Sequence, residues 1–232
     1  MAGKEKIYLR AVSTERSFTK LKNVSKLLWY MLTKASYDHS TRTLYAPKSK
    51  ISVAEITTGK AKLYHRRTYY NKLNELQGLT KEGVRDPKKE VLISEGEYNG
   101  EPVYFIKNEF SQFALIDTKT ISELLKHARE HVLKMYAYVK FLEFAGNKGV
   151  SPTTLAENAL GYTRISKESI DLVYSTLEFL SCLDLVEYEI HEIESGIITE
   201  EQEIEQHGKT HTKRQAHYIE IKEVLNWEDA LK

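Results

Sequence analysis

The sequence predicts a mainly α-helical protein with small antiparallel β-hairpins, an α+β fold, built from two similar units in tandem. Three observations lead to this expectation. Apolar residues recur at helical spacing in several segments of the chain. Short strand-like segments separated by turn residues follow the helical segments. The same order of segments then occurs a second time within the 232 residues.

The first unit is expected to begin with a short strand at residues 7–12 and an amphipathic helix from Asn23. One face of that helix carries the apolar side chains Val24, Leu27, Leu28, Met31, Leu32 and Ala35. The polar stretch 36–49 is expected to be a loop. Residues 51–58 are expected to form a helix of one to two turns that begins near Ser52.

A longer helix, expected at residues 61–77, is rich in basic and aromatic side chains. Two strands at 91–98 and 103–107 then flank Asn99-Gly100, a dipeptide that favours a tight β-hairpin turn. A helix, a second helix, a basic helix and a hairpin, in this order, are the elements of a winged helix-turn-helix domain.

The second unit repeats this order. A long helix is expected at residues 118–144, and glycines at 146 and 149 end it. Ser151-Pro152 supplies an N-cap and a first helical residue for a helix that ends near Gly161. A third helix is expected from a cap at Ser166 to about residue 183, followed by strands at 185–190 and 218–224.

The third helices of the two units can be aligned directly. At a constant offset of 104 residues, Tyr70, Leu73, Leu76 and Leu79 correspond to Tyr174, Leu177, Leu180 and Leu183. We therefore expect two tandem winged helix-turn-helix domains, a basic one at residues 1–110 and an acidic one at 111–232, joined near residues 108–117.

Charge is divided unequally between the two units. Residues 1–90 contain 20 Lys and Arg and 8 Asp and Glu, a net charge of +12, whereas residues 91–232 contain 14 and 25, a net charge of −11. A field of +12 on one small domain attracts a polyanion such as DNA. The single cysteine, Cys182, excludes an intramolecular disulfide and suits a reducing cytoplasm, and no apolar run is long enough to cross a membrane.

The architecture resembles the tandem winged-helix replication initiators of plasmids and the replisome-organiser proteins of Gram-positive phages and plasmids. The segments that carry the resemblance are Ile116-Asp117-Thr118 followed by residues 132–138, which include a Lys-x-Tyr helix, and the helix-to-wing passage at 177–186. Asp184 stands where many winged helices have Gly. The resemblance covers most of residues 110–190 and implies the fold together with a role in initiating or organising replication.

The basic third helix of the first unit contains the candidate DNA-binding residues. Arg67, Thr68, Asn71 and Lys72 are expected to face outward while Leu63, Tyr70, Leu73 and Leu76 face the core. Arg can read guanine and Asn can read adenine in the major groove. We expect phosphate contacts from Lys60, Lys62 and Arg66. His65 is a further candidate for DNA binding, and the cations that lead into the hairpin are expected to follow the DNA backbone or to enter the minor groove: Arg85, Lys88 and Lys89.

The second unit is expected to contact protein rather than DNA. Its third helix carries Lys167, Glu168, Asp171 and Glu178, a net charge of −2 that repels phosphate, and Arg164 is an isolated candidate phosphate contact. We expect this unit either to form a homodimer or to recruit replication proteins, and the alternative is a domain that serves only as a stable spacer. The segment 192–214 is expected to be a long wing tip whose first part is acidic and whose last part is basic.

Metal and enzyme chemistry find little support in the sequence. His127 and His131 are four residues apart, but the His-Glu-x-x-His arrangement of metalloproteases is absent, and no phosphate-binding P-loop is present. Cys182 is expected to be a small buried residue. We expect a protein without catalytic residues, metal or cofactor.

Three functions remain open. The first is a sequence-specific double-stranded DNA-binding protein that initiates or organises plasmid or phage DNA replication. The second is a winged-helix regulator of transcription, which would use the same fold on an operator. The third is a protein-interaction adaptor whose basic face binds an acidic protein and not DNA.

Overall fold

The computed structural model describes residues 6–9, 24–59, 62–107, 114–146, 149–193 and 216–231. The chain is a mixed α+β protein in which all paired strands of the described residues are antiparallel, as the sequence predicts for the class. Both halves of the chain contain helices and strands.

The described residues of the first half form three α-helices and a four-stranded sheet. Its elements in chain order are α1 (Lys26–Thr33), β2 (Ser36–Asp38), β3 (Thr43–Pro47), α2 (Val53–Thr57), α3 (Arg66–Leu76), β4 (Ile93–Tyr98) and β5 (Glu101–Ile106). The strand order is β2-β3-β5-β4. Asn99 and Gly100 join β4 to β5 with φ angles of +52° and +79°, which fit the tight turn predicted from this dipeptide.

The second half repeats this element order with longer helices and without a counterpart of β2. Its elements are α5 (Glu130–Phe144), β7 (Gly149–Val150), α6 (Pro152–Asn158), α7 (Lys167–Ser181), β8 (Val186–Ile193) and β9 (Ala216–Val224), with strand order β7-β9-β8. In both halves the strand that precedes the middle helix pairs with the second strand of the hairpin. The two halves therefore share a topology as well as a sequence pattern.

A two-stranded ribbon and two further helices connect the halves. β1 (Lys6–Leu9) pairs with β6 (Ala114–Asp117), which leads directly into α4 (Thr118–His127). Asp117 caps α4 by accepting a hydrogen bond from the backbone N–H of Thr120 at 2.9 Å. The last helix, α8 (Trp227–Ala230), packs on α4, and α4 packs on α1 of the first half.

One continuous core runs through both halves. Its largest fully buried side chains include Trp29 of α1 and Tyr136 of α5. The Tyr136 hydroxyl donates a hydrogen bond to the carbonyl oxygen of Leu225 at 2.9 Å, which satisfies its polar end inside the core. The predicted domain boundary at residue 110 lies outside the described residues.

Three sequence-based expectations are wrong in their boundaries. The stretch 36–49 is not a loop, because it contains β2 and β3 and a short 3₁₀ turn at Lys48–Lys50. The single helix expected at 118–144 is two helices, α4 and α5, separated by Ala128 and Arg129 in extended conformation. The helix expected from residue 61 begins only at Arg66.

Candidate nucleic-acid interface

Helix α3 presents two arginines to solvent. Tyr69, Leu73 and Leu76 are buried at helical spacing and fix the face of α3 that packs on the core. Arg67 is exposed on the opposite face, as the sequence predicted, and Arg66 is exposed in the first turn of the helix. The helix is rotated from the expected phase, because the ring of Tyr69 and not that of Tyr70 enters the core.

The exposed fraction of Tyr70 is 44%, so the expectation that it faces the core is wrong. Leu63, which was also expected on the core-facing side of the helix, precedes α3 in the structure and is half-buried. Tyr70 instead lies on the solvent-exposed side of α3.

The first turn of α3 is unfavourable for the stability of the helix itself. It contains two arginines and no acidic residue, and the N-cap residue His65 makes no side-chain capping bond. A helix N-terminus carries partial positive charge, so cations there are destabilising and anions are stabilising. By contrast, α7 begins with a complete capping box made by Ser166 and Ser169. The start of α3 is suited to an external anion.

The segment before α3 is held by contacts with both halves. Lys62 is exposed and not helical, with a φ angle of +31°, and His65 is exposed. Between them the Tyr64 hydroxyl donates a hydrogen bond to Oε1 of Glu130 on α5, at 3.0 Å. Burial, followed by the Glu130 carboxylate, raises the pKa of Tyr64 well above its ordinary value. Lys60 lies outside the described residues.

The remaining candidate residues of α3 are less accessible than the arginines. Thr68 and Asn71 are half-buried beside the exposed face. Lys72 is also half-buried, and its Nζ atom forms an ion pair with Oε2 of Glu75 at 2.9 Å. Lys72 therefore has an internal anionic partner, whereas Arg66 and Arg67 lie at the exposed start of the helix.

Two of the four cations between α3 and β4 hold their own loop together. One guanidinium nitrogen of Arg85 donates hydrogen bonds to the carbonyl oxygens of Gly78, Asp86 and Lys89 at 2.6, 2.7 and 3.0 Å. The ammonium of Lys89 donates to the carbonyl oxygen of Leu79 at 2.9 Å. Lys88 is exposed, and so is Lys81, which the sequence-based selection omitted.

The third helix of the second half presents an acidic face with one large apolar side chain. Glu168, Asp171 and Glu178 are exposed on α7, together with 36% of Phe179. The expectation that Cys182 is buried is wrong, since this residue caps the end of α7 and its side chain is exposed. Arg164 is exposed in the segment that precedes α7.

The histidine pair considered from the sequence does not share a helix. His127 ends α4 and is exposed, whereas His131 lies in the first turn of α5 and burial lowers its pKa. The break between the helices therefore removes the spacing argument for a metal site.

A different cluster on the outer face of the β8–β9 hairpin brings together Glu189, His191 and Glu220. The ammonium of Lys222 lies 3.0 Å from the Glu189 carboxylate and 2.9 Å from that of Glu220. These contacts raise the pKa of Lys222 and lower that of Glu220. A protein cation thus already neutralises the carboxylates that a metal ion would need.

No helix among the described residues has the length and apolar character needed to cross a membrane. Comparison with known proteins adds no assignment: no protein-family model matches the chain, and neither a curated protein nor a solved structure gives a significant match.

Proposed function

We propose that this chain is a sequence-specific double-stranded DNA-binding protein that initiates or organises plasmid or phage DNA replication in the cytoplasm. The observation that carries the proposal is the exposed pair Arg66 and Arg67 at the start of α3. Cations at a helix N-terminus reduce the stability of the helix, so their presence favours a role in binding an anion.

The topology supports assignment of both halves to the winged helix-turn-helix type. Each half has the order helix, strand, helix, helix and hairpin, with the additional strand β2 in the first half, and the strand before the middle helix pairs with the second hairpin strand. In such domains the third helix enters the major groove of the duplex. That position belongs to α3 in the first half and to α7 in the second.

The two third helices support a division of roles. In α3, Arg67 and the half-buried Asn71 would read base edges, while Arg66 and the preceding residues Lys60 and Lys62 would contact phosphates. The acidic exposed face of α7 would repel phosphate and would instead contact protein, either a second copy of the chain or a replication protein. The resemblance to replication initiators favours replication over transcription regulation.

Binding to a labelled duplex over a salt series tests the DNA-binding part of the proposal. A selection from a random duplex pool, with single-stranded DNA as a control, first supplies the sequence. Arg67→Ala should weaken binding to that sequence by about 1–3 kcal/mol and should relax its preference over other duplexes. Lys167→Ala, which removes an exposed cation of α7, should leave both quantities unchanged. An adaptor that binds only protein would show no duplex affinity and no negative salt slope.

Replication and transcription regulation are separated by a functional selection. Fragments of the source DNA are cloned into a plasmid that cannot replicate, and the protein is supplied from a second plasmid. An initiator should yield transformants from fragments that contain the selected sequence, and Arg67→Ala should abolish them. A transcription regulator would bind the same fragments without supporting replication of the plasmid.

A further inference from the structure

The β4–β5 hairpin has the wrong charge for an element that contacts DNA. Residues 93–106 contain no lysine or arginine, and they include the three glutamates Glu95, Glu97 and Glu101. An ion pair with Lys48 occupies the Glu95 carboxylate. Glu97 and Glu101 are exposed near the tip of the hairpin, where their charges would repel phosphates within about 10 Å.

The loop at residues 80–89 is held in an ordered conformation by its own hydrogen bonds. The backbone N–H of Thr80 donates to the carbonyl oxygen of Val84 at 2.7 Å, and Leu79 and Arg85 form an isolated β-bridge. The hydrogen bonds of the Arg85 guanidinium close the other side of the loop. This bonding makes the loop a fixed platform for the side chains that it presents to solvent.

The outward side chains of this loop include two cations. Lys81 and Lys88 are exposed, as is 63% of Val84 between them. Within the described residues neither ammonium takes part in the internal bonding that engages Arg85 and Lys89. Lys81 follows the C-terminal end of α3, and its carbonyl oxygen accepts a hydrogen bond from the side chain of Asn74 at 3.4 Å.

We propose that the loop 80–89 is the second DNA-contacting element of the first half, and that the β4–β5 hairpin stays outside the grooves. This inference rests on the proposed function. Helix α3 spans 11 residues, or about 16 Å, so Arg66 and Lys81 stand near its opposite ends. That span is sufficient to reach phosphates on both sides of a major groove about 12 Å wide.

Three double variants test the inference by fluorescence anisotropy with a labelled duplex at roughly 50–300 mM salt. Lys81→Ala/Lys88→Ala should weaken binding by about 5- to 30-fold and reduce the salt slope by about 2, because each lysine contacts one phosphate. Glu97→Gln/Glu101→Gln should bind as tightly as the unmodified chain or up to about 5-fold more tightly. The matched control Lys126→Ala/Lys167→Ala removes the same charge from α4 and α7, outside the first half, and should have little effect.

The outcomes separate this inference from the proposed function. The inference is overturned if the glutamate variant loses affinity, or if the Lys81/Lys88 variant keeps its affinity and salt slope. In either case, duplex binding by the unmodified chain would still support the proposed function. Equal weakening by the control variant also overturns it, because the effect would then reflect net charge alone. Failure of the unmodified chain to bind any duplex overturns both.

Discussion

Lys134 shows how burial at the boundary between the halves changes the pKa of a single residue. It lies on α5, and only 7% of the residue is exposed. Burial is the main cause that lowers its pKa from 10.5 to about 8, with Glu130 opposing the shift and Lys72 adding to it. The unfolded chain therefore holds more protons than the folded one between these two pKa values. In that window the free energy of unfolding rises with pH.

We expect the free energy of unfolding to increase by about 1–2 kcal/mol between about pH 7.5 and pH 9.5 because of Lys134. Chemical denaturation of the unmodified chain and of Lys134→Met at both pH values measures this contribution. The Met variant should lose that part of the increase. The upper limit avoids the titration of buried tyrosines such as Tyr64, whose raised pKa favours unfolding above about pH 10. An equal increase in both proteins would contradict the assignment.

The C-terminal ends of α3 and α7 show where the structural correspondence between the two halves departs from the constant sequence offset of 104 residues. The offset of 104 holds for the buried pairs Leu73/Leu177 and Leu76/Leu180. Beyond them, Gly78 and Asp184 occupy the left-handed region with φ angles of +69° and +54°. The residues that follow, Leu79 and Leu185, each donate the backbone N–H to the carbonyl oxygen of the residue five positions earlier. In the structure Leu79 therefore corresponds to Leu185, and not to Leu183 as the constant offset predicts. Local turn geometry, absent from an apolar pattern, decides this last position.

At the scale of elements, the separation of α4 from α5 was not predictable from periodicity. Neither glycine nor proline occurs between Thr118 and Phe144, so the apolar pattern alone favours one helix. Tertiary packing divides it, because α4 packs on α1 while α5 packs on α7 and β9. The two helix ends do show a charge signature: Lys126 and His127 end α4, and Glu130 begins α5.

A helix break at Arg129 and a continuous helix predict opposite signs for the difference in free energy of unfolding between Arg129→Ser and Arg129→Ala. This residue is the N-cap of α5 and makes no capping bond. Arg129→Ser should give a free energy of unfolding about 0.5–1 kcal/mol higher than Arg129→Ala, because a serine oxygen can accept a bond from the first turn. In a continuous helix the alanine variant would be the more stable one by up to about 0.7 kcal/mol. Urea denaturation of the two variants measures the sign of the difference.

The β2–β3 hairpin and the candidate interface show which features of the structure depend on contacts between residues that are distant in the sequence. The sequence between Ser36 and Ser49 is polar, yet β3 pairs with β5, and the Tyr45 ring lies 4.5 Å from that of Tyr98 between centroids. Exposure of Arg67 follows from helical spacing and was predictable. The use of Arg85 inside its own loop was not, because the carbonyl oxygens that it contacts are brought together only by the folded turn.

At the scale of the whole molecule, hydrogen bonds as well as the polypeptide chain join the acidic half to the basic half. The carboxylate of Glu130 on α5 accepts hydrogen bonds from the backbone N–H of Lys26 at 3.3 Å and from the Tyr64 hydroxyl at 3.0 Å. The Lys26 ammonium donates to the carbonyl oxygen of Leu125 near the end of α4 at 3.2 Å. The segment that leads into the candidate DNA-reading helix is therefore fixed by a residue of the second half.

We expect the two halves to unfold in one cooperative transition, because they share a core and this polar boundary. The chain has two tryptophans, Trp29, buried in α1 of the first half, and Trp227, half-buried where α8 packs on α4. Trp227→Phe leaves a fluorescent reporter of the first half, and Trp29→Phe leaves one near the second.

In each variant, urea unfolding followed by tryptophan emission should coincide with unfolding followed by far-ultraviolet circular dichroism, which averages over both halves. Comparison within one variant removes the effect of the substitution on stability. Trp29→Phe alone should lower the midpoint, since it removes buried ring volume, but its two curves should still superimpose. Separate midpoints for emission and ellipticity in either variant would show that the halves unfold independently, and the Glu130 contacts would then not couple them.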